Sequence, residues 1–183
     1  VFVFFWLISA GKLGFMPTFE ELENPNNRFA SEVYFADGPI MNRYFEKENR
    51  KYIEYREIPQ SVIDALIATE DVRFYDHSGV DVRGLFRVAK GLLTANTSAG
   101  GGSTISQQLA KMLFPRESDL NVFELAIRKF REWVIAVRLE KSYTKEEILT
   151  MYLNKYDFLN LAVGISSAAD IYFQVPLDSL KVE

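Results

Sequence analysis

Apolar residues recur at helical spacing in one segment after another from Ile58 onward, and that recurrence confines the chain to a mainly α fold. Pro59 suits a first helical position, and Val62, Ile63, Leu66 and Ile67 form a stripe ending near Glu70. Asp81 can cap a second helix whose expected buried face is Val82, Leu85, Phe86, Ala89, Leu92 and Leu93. Thr104 and Gln107 stand at capping-box spacing before a third, with Ile105, Leu109, Met112 and Leu113 on its stripe. Phe114-Pro115 breaks that helix. Asp119 or Asn121 can open a fourth that runs to about Lys141. Its Val122, Leu125, Ala126, Trp133, Val134 and Val137 predict burial around much of the circumference. Thr144 and Glu147 make another capping box, before a fifth helix with Ile148, Leu149, Tyr152 and Leu153 inward. Residues 164–173 read as a small-residue helix suited to close packing.

The N-terminal part reads differently. Residues 1–8, VFVFFWLI, are a continuous apolar run with Lys12 soon after. A spanning helix needs roughly 20 such residues, so residues 1–16 are expected to be the remnant of a transmembrane helix. A buried N-terminal helix or strand is the alternative. Residues 17–55 are expected to form a juxtamembrane linker and a β-hairpin, with Val33, Tyr34 and Phe35 in one strand, Asp37-Gly38 at the turn and residues 40–45 returning. Residues 56–183 form the main domain.

Composition excludes several functions. With 48% hydrophobic and 25% charged residues among 183, the chain is globular. A formal net charge of -4 speaks against a broad nucleic-acid binder. With no Cys, disulfides and thiolate metal sites are excluded, and a single His excludes a multi-His metal site. A metal here needs carboxylate and phosphate oxygens, which points to Mg²⁺ or Mn²⁺.

Three stretches carry chemistry. Residues 69–81 crowd acids, Arg73, aromatics and His77 where the first helix gives way to a loop. This is either the mount of a catalytic carboxylate or a solvated, turn-rich helix end. Residues 94–102, TANTSAGGG, read as a mobile loop feeding a helix N-terminus, which suits an anion or serves as a plain linker. The absence of a following Gly-Lys-Ser/Thr excludes a Walker loop. On the fourth helix Arg128, Lys129 and Glu132 form either a pyrophosphate grip or an exposed ion-pair stripe.

Together these stretches resemble the peptidoglycan glycosyltransferase domain, glycosyltransferase family 51. That domain is found in class A penicillin-binding proteins and monofunctional transglycosylases. Residues 70–79, EDVRFYDHSG, resemble its Glu-Asp-x-x-Phe-x-x-His-x-Gly motif, and residues 101–108, GGSTISQQ, its Gly-Ser-Thr-Ile-Thr-Gln-Gln element. Residues 128–132, RKFRE, match Arg-Lys-x-x-Glu, residues 147–154, EILTMYLN, match a fourth motif, and residues 164–173 a weaker fifth. Met112, Leu159, Val163 and Gln174-Val175 depart from the usual Asn, Gly, Tyr and Gly-Lys.

The resemblance implies a lysozyme-like helical domain that continues beyond Glu183, so that this chain is cut at both ends. It implies polymerisation of lipid II into glycan strands, with inversion and loss of undecaprenyl pyrophosphate. Implied catalytic residues are Glu70, as base, and Glu132. Arg73, Ser103, Thr104, Gln107, Gln108, Arg128 and Lys129 are the implied substrate and pyrophosphate contacts, with Asp71, His77 and Asn154 as structural support. No obligatory cofactor is implied; Mg²⁺ or Mn²⁺ is the optional metal. Implied partners are lipid II, the nascent glycan, the membrane, a C-terminal transpeptidase domain and other cell-wall synthesis proteins, with no nucleic acid. The implied place is the outer face of the bacterial inner membrane. A lysozyme-type glycan hydrolase and a non-catalytic lipid II-binding scaffold are the alternatives.

Overall fold

The computed structural model describes residues 6, 8–12, 31–34, 36, 40–44, 51–94, 101–113 and 121–180. Two strands, β1 (Ser31–Tyr34) and β2 (Ile40–Tyr44), precede helices α1 (Gln60–Glu70), α2 (Val82–Leu93), α3 (Ile105–Leu113), α4 (Val122–Ser142), α5 (Lys145–Lys155) and α6 (Ile165–Ala168). The chain divides into two compact units. One comprises Val1–Pro25 with Ala65–Ile148, the other Asn26–Asp64 with Leu149–Glu183.

In the first unit α3 packs along α4. Ile105 and Leu109 from α3 and Ile135, Ala136 and Leu139 from α4 are buried, with Phe74 fully enclosed. Asn121 caps α4: its side chain accepts from the Glu124 N–H at 3.0 Å, and the Glu124 carboxylate accepts from the Asn121 N–H at 2.9 Å. This reciprocal pair satisfies two backbone donors that a helix start leaves open. Burial on α4 is a stripe and does not reach round the helix as expected: Val122, Phe123 and Leu125 in its first turn are exposed. The inward positions Ile127, Ile135 and Leu139 are spaced by multiples of four, one helical face.

Helix α2 is also turned differently from its apolar pattern. Val82 and Phe86 are exposed, while Gly84 is buried. A Cβ on Gly84 would stand 2.6 Å from Asp81 Oδ2, and one on Gly102 would stand 3.2 Å from Val88 Cγ2. The inward face is therefore the one where glycine lets other groups close in. Before α3, Thr104 Oγ1 accepts the Gln107 N–H at 3.2 Å. The Gln107 side chain does not complete a capping box; it is fully buried and donates to the Gly79 carbonyl at 3.2 Å. At α5 the expected box is present, with Thr144 N–H to Glu147 Oε2 at 2.7 Å and Glu147 N–H to Thr144 Oγ1 at 3.2 Å.

In the second unit β1 and β2 pair antiparallel, Ser31 opposite Tyr44 and Val33 opposite Asn42, with an irregularity between Val33 and Tyr34. Asn154 is buried and spends its amide on three backbone groups: the Ile53 N–H at 2.9 Å, the Ile53 carbonyl at 2.8 Å and the Thr150 carbonyl at 2.9 Å. Leu159, Asn160 and Leu161 all have positive φ. The small-residue segment is helix α6 followed by a π-helical turn, Ala169–Phe173, that ends on the left-handed Gln174.

No described helix is long and apolar enough to cross a membrane. Most of the expected remnant and linker, residues 1–5, 7, 13–30, 35, 37–39 and 45–50, lies outside the described residues, the expected Phe35 and Asp37-Gly38 turn included, as do residues 95–100 of the Gly-rich loop. Within the N-terminal run Ile8 is buried, and Arg138 of α4 donates to the Ser9 carbonyl and hydroxyl, both at 2.8 Å.

Gly79 is the point of the first unit where backbone packs closest on a glycine. Its φ is +93°, and an added Cβ would meet the Ala136 carbonyl carbon and oxygen and the Val137 nitrogen at 2.8 Å. Gly79→Ala is expected to lower unfolding stability by about 3 kcal/mol, combining a strained φ with overpacking against backbone. Gly101→Ala, where nothing lies within 4 Å, is expected to change it by less than about 0.5 kcal/mol. Denaturant titration of the two variants measures the contrast.

Candidate active site

Helix α1 ends by splitting two adjacent acids. Glu70, its last residue, is exposed, and its Oε2 accepts from Gln108 Nε2 at 2.8 Å. Asp71 is buried. Its Oδ2 accepts the Ile105 N–H at 3.0 Å, and its two oxygens lie 3.1 and 3.0 Å from His77 Nε2. His77 Nδ1 accepts the Gly79 N–H at 3.2 Å, so the ring proton sits on Nε2 and is donated to Asp71. A buried carboxylate is costly unless its lone pairs are met, and here a ring N–H and a helix-starting N–H meet them. The same contacts place Asp71 at the positive end of α3. An anion site expected at that N-terminus is thus partly filled by the protein's own carboxylate.

The Gly79 carbonyl gathers the next layer, accepting from Thr104 Oγ1 at 2.7 Å as well as from Gln107. From α4, Lys129 Nζ reaches Ser103 Oγ at 2.8 Å, Glu132 Oε2 at 3.1 Å and Gln107 Oε1 at 3.4 Å. Glu132 is buried, and Lys111 of α3 approaches the same oxygen at 3.8 Å. Arg128 is half-buried and has no hydrogen-bond or ion-pair partner among the described residues.

Arg73, an expected phosphate contact, lies beside Asp81. Its Nε donates to Asp81 Oδ2 at 3.1 Å and its Nη2 donates to the same oxygen. The hydrogen bond to Asp81 raises the Arg73 pKa further, against the smaller effect of burial. Burial pushes the Asp81 carboxyl up, but hydrogen bonds from Arg73 and the Gly84 N–H, with the Arg73 charge, outweigh it and hold Asp81 below the ordinary value of 3.8. Asp81, first read only as a helix cap, is therefore also the partner that occupies Arg73.

A cleft of about 280 Å³ opens here, with walls that include Glu70, Arg73, Asp81, Arg87 and the turn from Gly101 to Thr104. Glu70 and Ser103 thus face one space, with Lys129 behind Ser103. Arg87 and Lys111 add cations that the sequence reading passed over; their only early signal was position on helices adjoining the motifs. Asn154 belongs to the second unit, where it holds Ile53. Among the described residues no three His, Cys, Asp or Glu side chains converge to hold a metal ion.

A family profile described as Transglycosylase matches residues 37–183. The chain is 38% identical over 167 residues to penicillin-binding protein 1A of Escherichia coli K12, covering 91% of this chain and 19% of that protein. It is 37% identical over 167 residues to penicillin-binding protein 1A of Pseudomonas aeruginosa, covering 91% and 20%. Against that of Haemophilus influenzae it is 37% identical over 176 residues, covering 96% and 19%. The chain spans about a fifth of the length of these relatives.

The depressed Asp81 carboxyl has a consequence for acid stability. Its contribution is present above the unfolded value near 3.8 and is lost as pH falls through the lower folded value. Asp81→Asn is expected to remove that component, so that the variant's unfolding midpoint varies less than the wild type's between about pH 4 and pH 2. Urea unfolding across that range measures the difference.

Proposed function

The chain belongs to the transglycosylase family, and from that premise we propose that it polymerises peptidoglycan glycan strands from lipid II. The observation that carries this reading is that Glu70 and Ser103 line one cleft, with the Lys129 ammonium hydrogen-bonded to Ser103. The carboxylate stands in the wall of the cleft, and the ammonium backs the Ser103 hydroxyl across from it, an arrangement that suits transfer from a pyrophosphate.

The Glu70 carboxylate takes the proton from the 4-hydroxyl of the incoming lipid II, and Gln108 fixes its orientation. The freed oxygen attacks the anomeric carbon of the growing chain from the face opposite undecaprenyl pyrophosphate. The anomeric C–O bond breaks with inversion, and its electron pair leaves on the pyrophosphate. Lys129 and Arg128 meet the negative charge that develops there. Glu132, between Lys129 and Lys111, holds those ammonium groups in place. Asp71 and His77 keep the loop at its position and take no proton from substrate.

The hydrolase alternative needs a protonated acid in an apolar setting. Glu70 is exposed and accepts an amide hydrogen bond, which suits a base. The intact Glu70 and Glu132 speak against a purely binding scaffold. On this reading the chain works at the outer face of the bacterial cytoplasmic membrane. Its residues 1–16 form part of the anchor, and a penicillin-binding transpeptidase domain and cell-wall synthesis partners complete the longer protein.

With labelled lipid II, Glu70→Gln is expected to lower chain elongation by about 10²–10⁴-fold while lipid II binding is retained. Gel separation of the products measures it. Undiminished elongation by Glu70→Gln removes Glu70 as the base. New reducing ends released from finished glycan establish the hydrolase instead.

A further inference from the structure

The loop that carries Asp71, Phe74, His77 and Gly79 has a second anchor. Lys145 at the start of α5 sends Nζ to the His77 carbonyl at 2.7 Å and to Glu140 Oε1 at 2.7 Å, and the ammonium lies 4.3 Å from the centre of the Phe74 ring. Glu140 is on α4, and its side chain is only 4% exposed. The same Glu140 oxygen accepts from Ser106 Oγ, buried on α3. One ammonium and one carboxylate thus join the loop to α3, α4 and α5.

Neither group lines the Glu70 cleft, and neither has a part in the proposed chemistry. As a device for stability alone the pair is a poor choice, because desolvating two charges cancels most of their attraction, and apolar residues of similar volume hold helices as well. An apolar pair cannot fix a carbonyl oxygen. Lys145 fixes that of His77, the residue whose ring donates to Asp71 and which stands two positions before the Gly79 carbonyl.

We propose that Lys145 is a positioning residue: by holding the His77 carbonyl it sets the path of the loop between Asp71 and Gly79. Through those two residues it sets the separation of Glu70 from the Ser103–Thr104 turn. Glu140 orients the Lys145 ammonium for this task. The catalytic consequence rests on the polymerase reading above; the effect on the loop does not.

The test uses Lys145→Met and the double variant Lys145→Met/Glu140→Gln. The double variant removes the buried charge that the single one leaves unpaired. His77 is the only histidine of the 183 residues, so its two ring nitrogens are observable without ambiguity by ¹⁵N NMR. The double variant is expected to keep its helical circular dichroism. The His77 nitrogens are expected to move from the Nε2–H pattern toward the average of the two tautomers. Its kcat on lipid II is expected to fall by about 10–10²-fold, the scale of an ångström's misplacement, while KM stays within about twofold, because the lost term belongs to the transition state. Wild-type His77 shifts or wild-type kcat in the folded double variant overturn the proposal. So does a double variant that cannot fold, since the role is then only structural. A wild-type chain that makes no polymer counts against the polymerase reading alone, and the His77 shifts then decide the place of Lys145.

Discussion

The first unit depends on the buried Asp71 carboxylate. It accepts the first N–H of α3 and the His77 ring proton, and so joins the end of one helix to the beginning of another across 34 residues of chain. Its neighbour Glu70 is freed by the same geometry. Consecutive residues at a helix end point about 100° apart, so an inward Asp71 directs Glu70 outward to the cleft. A carboxylate used as a base needs access and a fixed origin, and the pair divides these tasks between two adjacent side chains.

Gly79 completes that frame with backbone alone. Its N–H fixes the His77 tautomer, and its carbonyl takes both the Thr104 hydroxyl and the Gln107 amide. Its missing side chain admits the α4 backbone at Ala136. The Gly-Ser-Thr turn is therefore referred to the same loop that holds Asp71. The two walls of the cleft share one origin, and an error in either is transmitted to the other through a single residue.

Much of this frame was legible in the sequence because its signals are local. The capping box at Thr144 and Glu147, the cap at Asn121 and the helix end at Glu70 each depend on residues within one turn. The bond between Asp71 and His77 spans only six residues and stays within the same stretch. What was not legible depends on partners distant in sequence or on backbone detail. Gln107 fits a capping box by spacing, yet its amide is drawn 28 residues away to Gly79. Asn154 serves Ile53 across 101 residues. The apolar pattern of α2 points Val82 and Phe86 inward, but close approach at Gly84 turns them out, and a glycine leaves no mark in a hydrophobic stripe. Left-handed backbone at Leu159 and Leu161 is disfavoured for those residue types, so their identity does not signal it.

The distribution of positive charge constrains the proposed reaction further. Arg73 lines the cleft, but its Nε and Nη2 donate to Asp81. Lys129 has three donors, and Ser103, Glu132 and Gln107 occupy all of them. A phosphate oxygen therefore reaches the Lys129 ammonium only by displacing a partner, and the Gln107 contact, longest at 3.4 Å, is the one most easily exchanged. Arg128 carries no such commitment among the described residues. In the proposed transfer the two cations accordingly differ in timing. Arg128, with no bond to give up among the described residues, can hold pyrophosphate in the ground state. Lys129 gives up an existing contact only when the charge on the leaving oxygen has grown enough to compete for it. An interaction that strengthens along the reaction in this way lowers the barrier, whereas one already complete at binding does not.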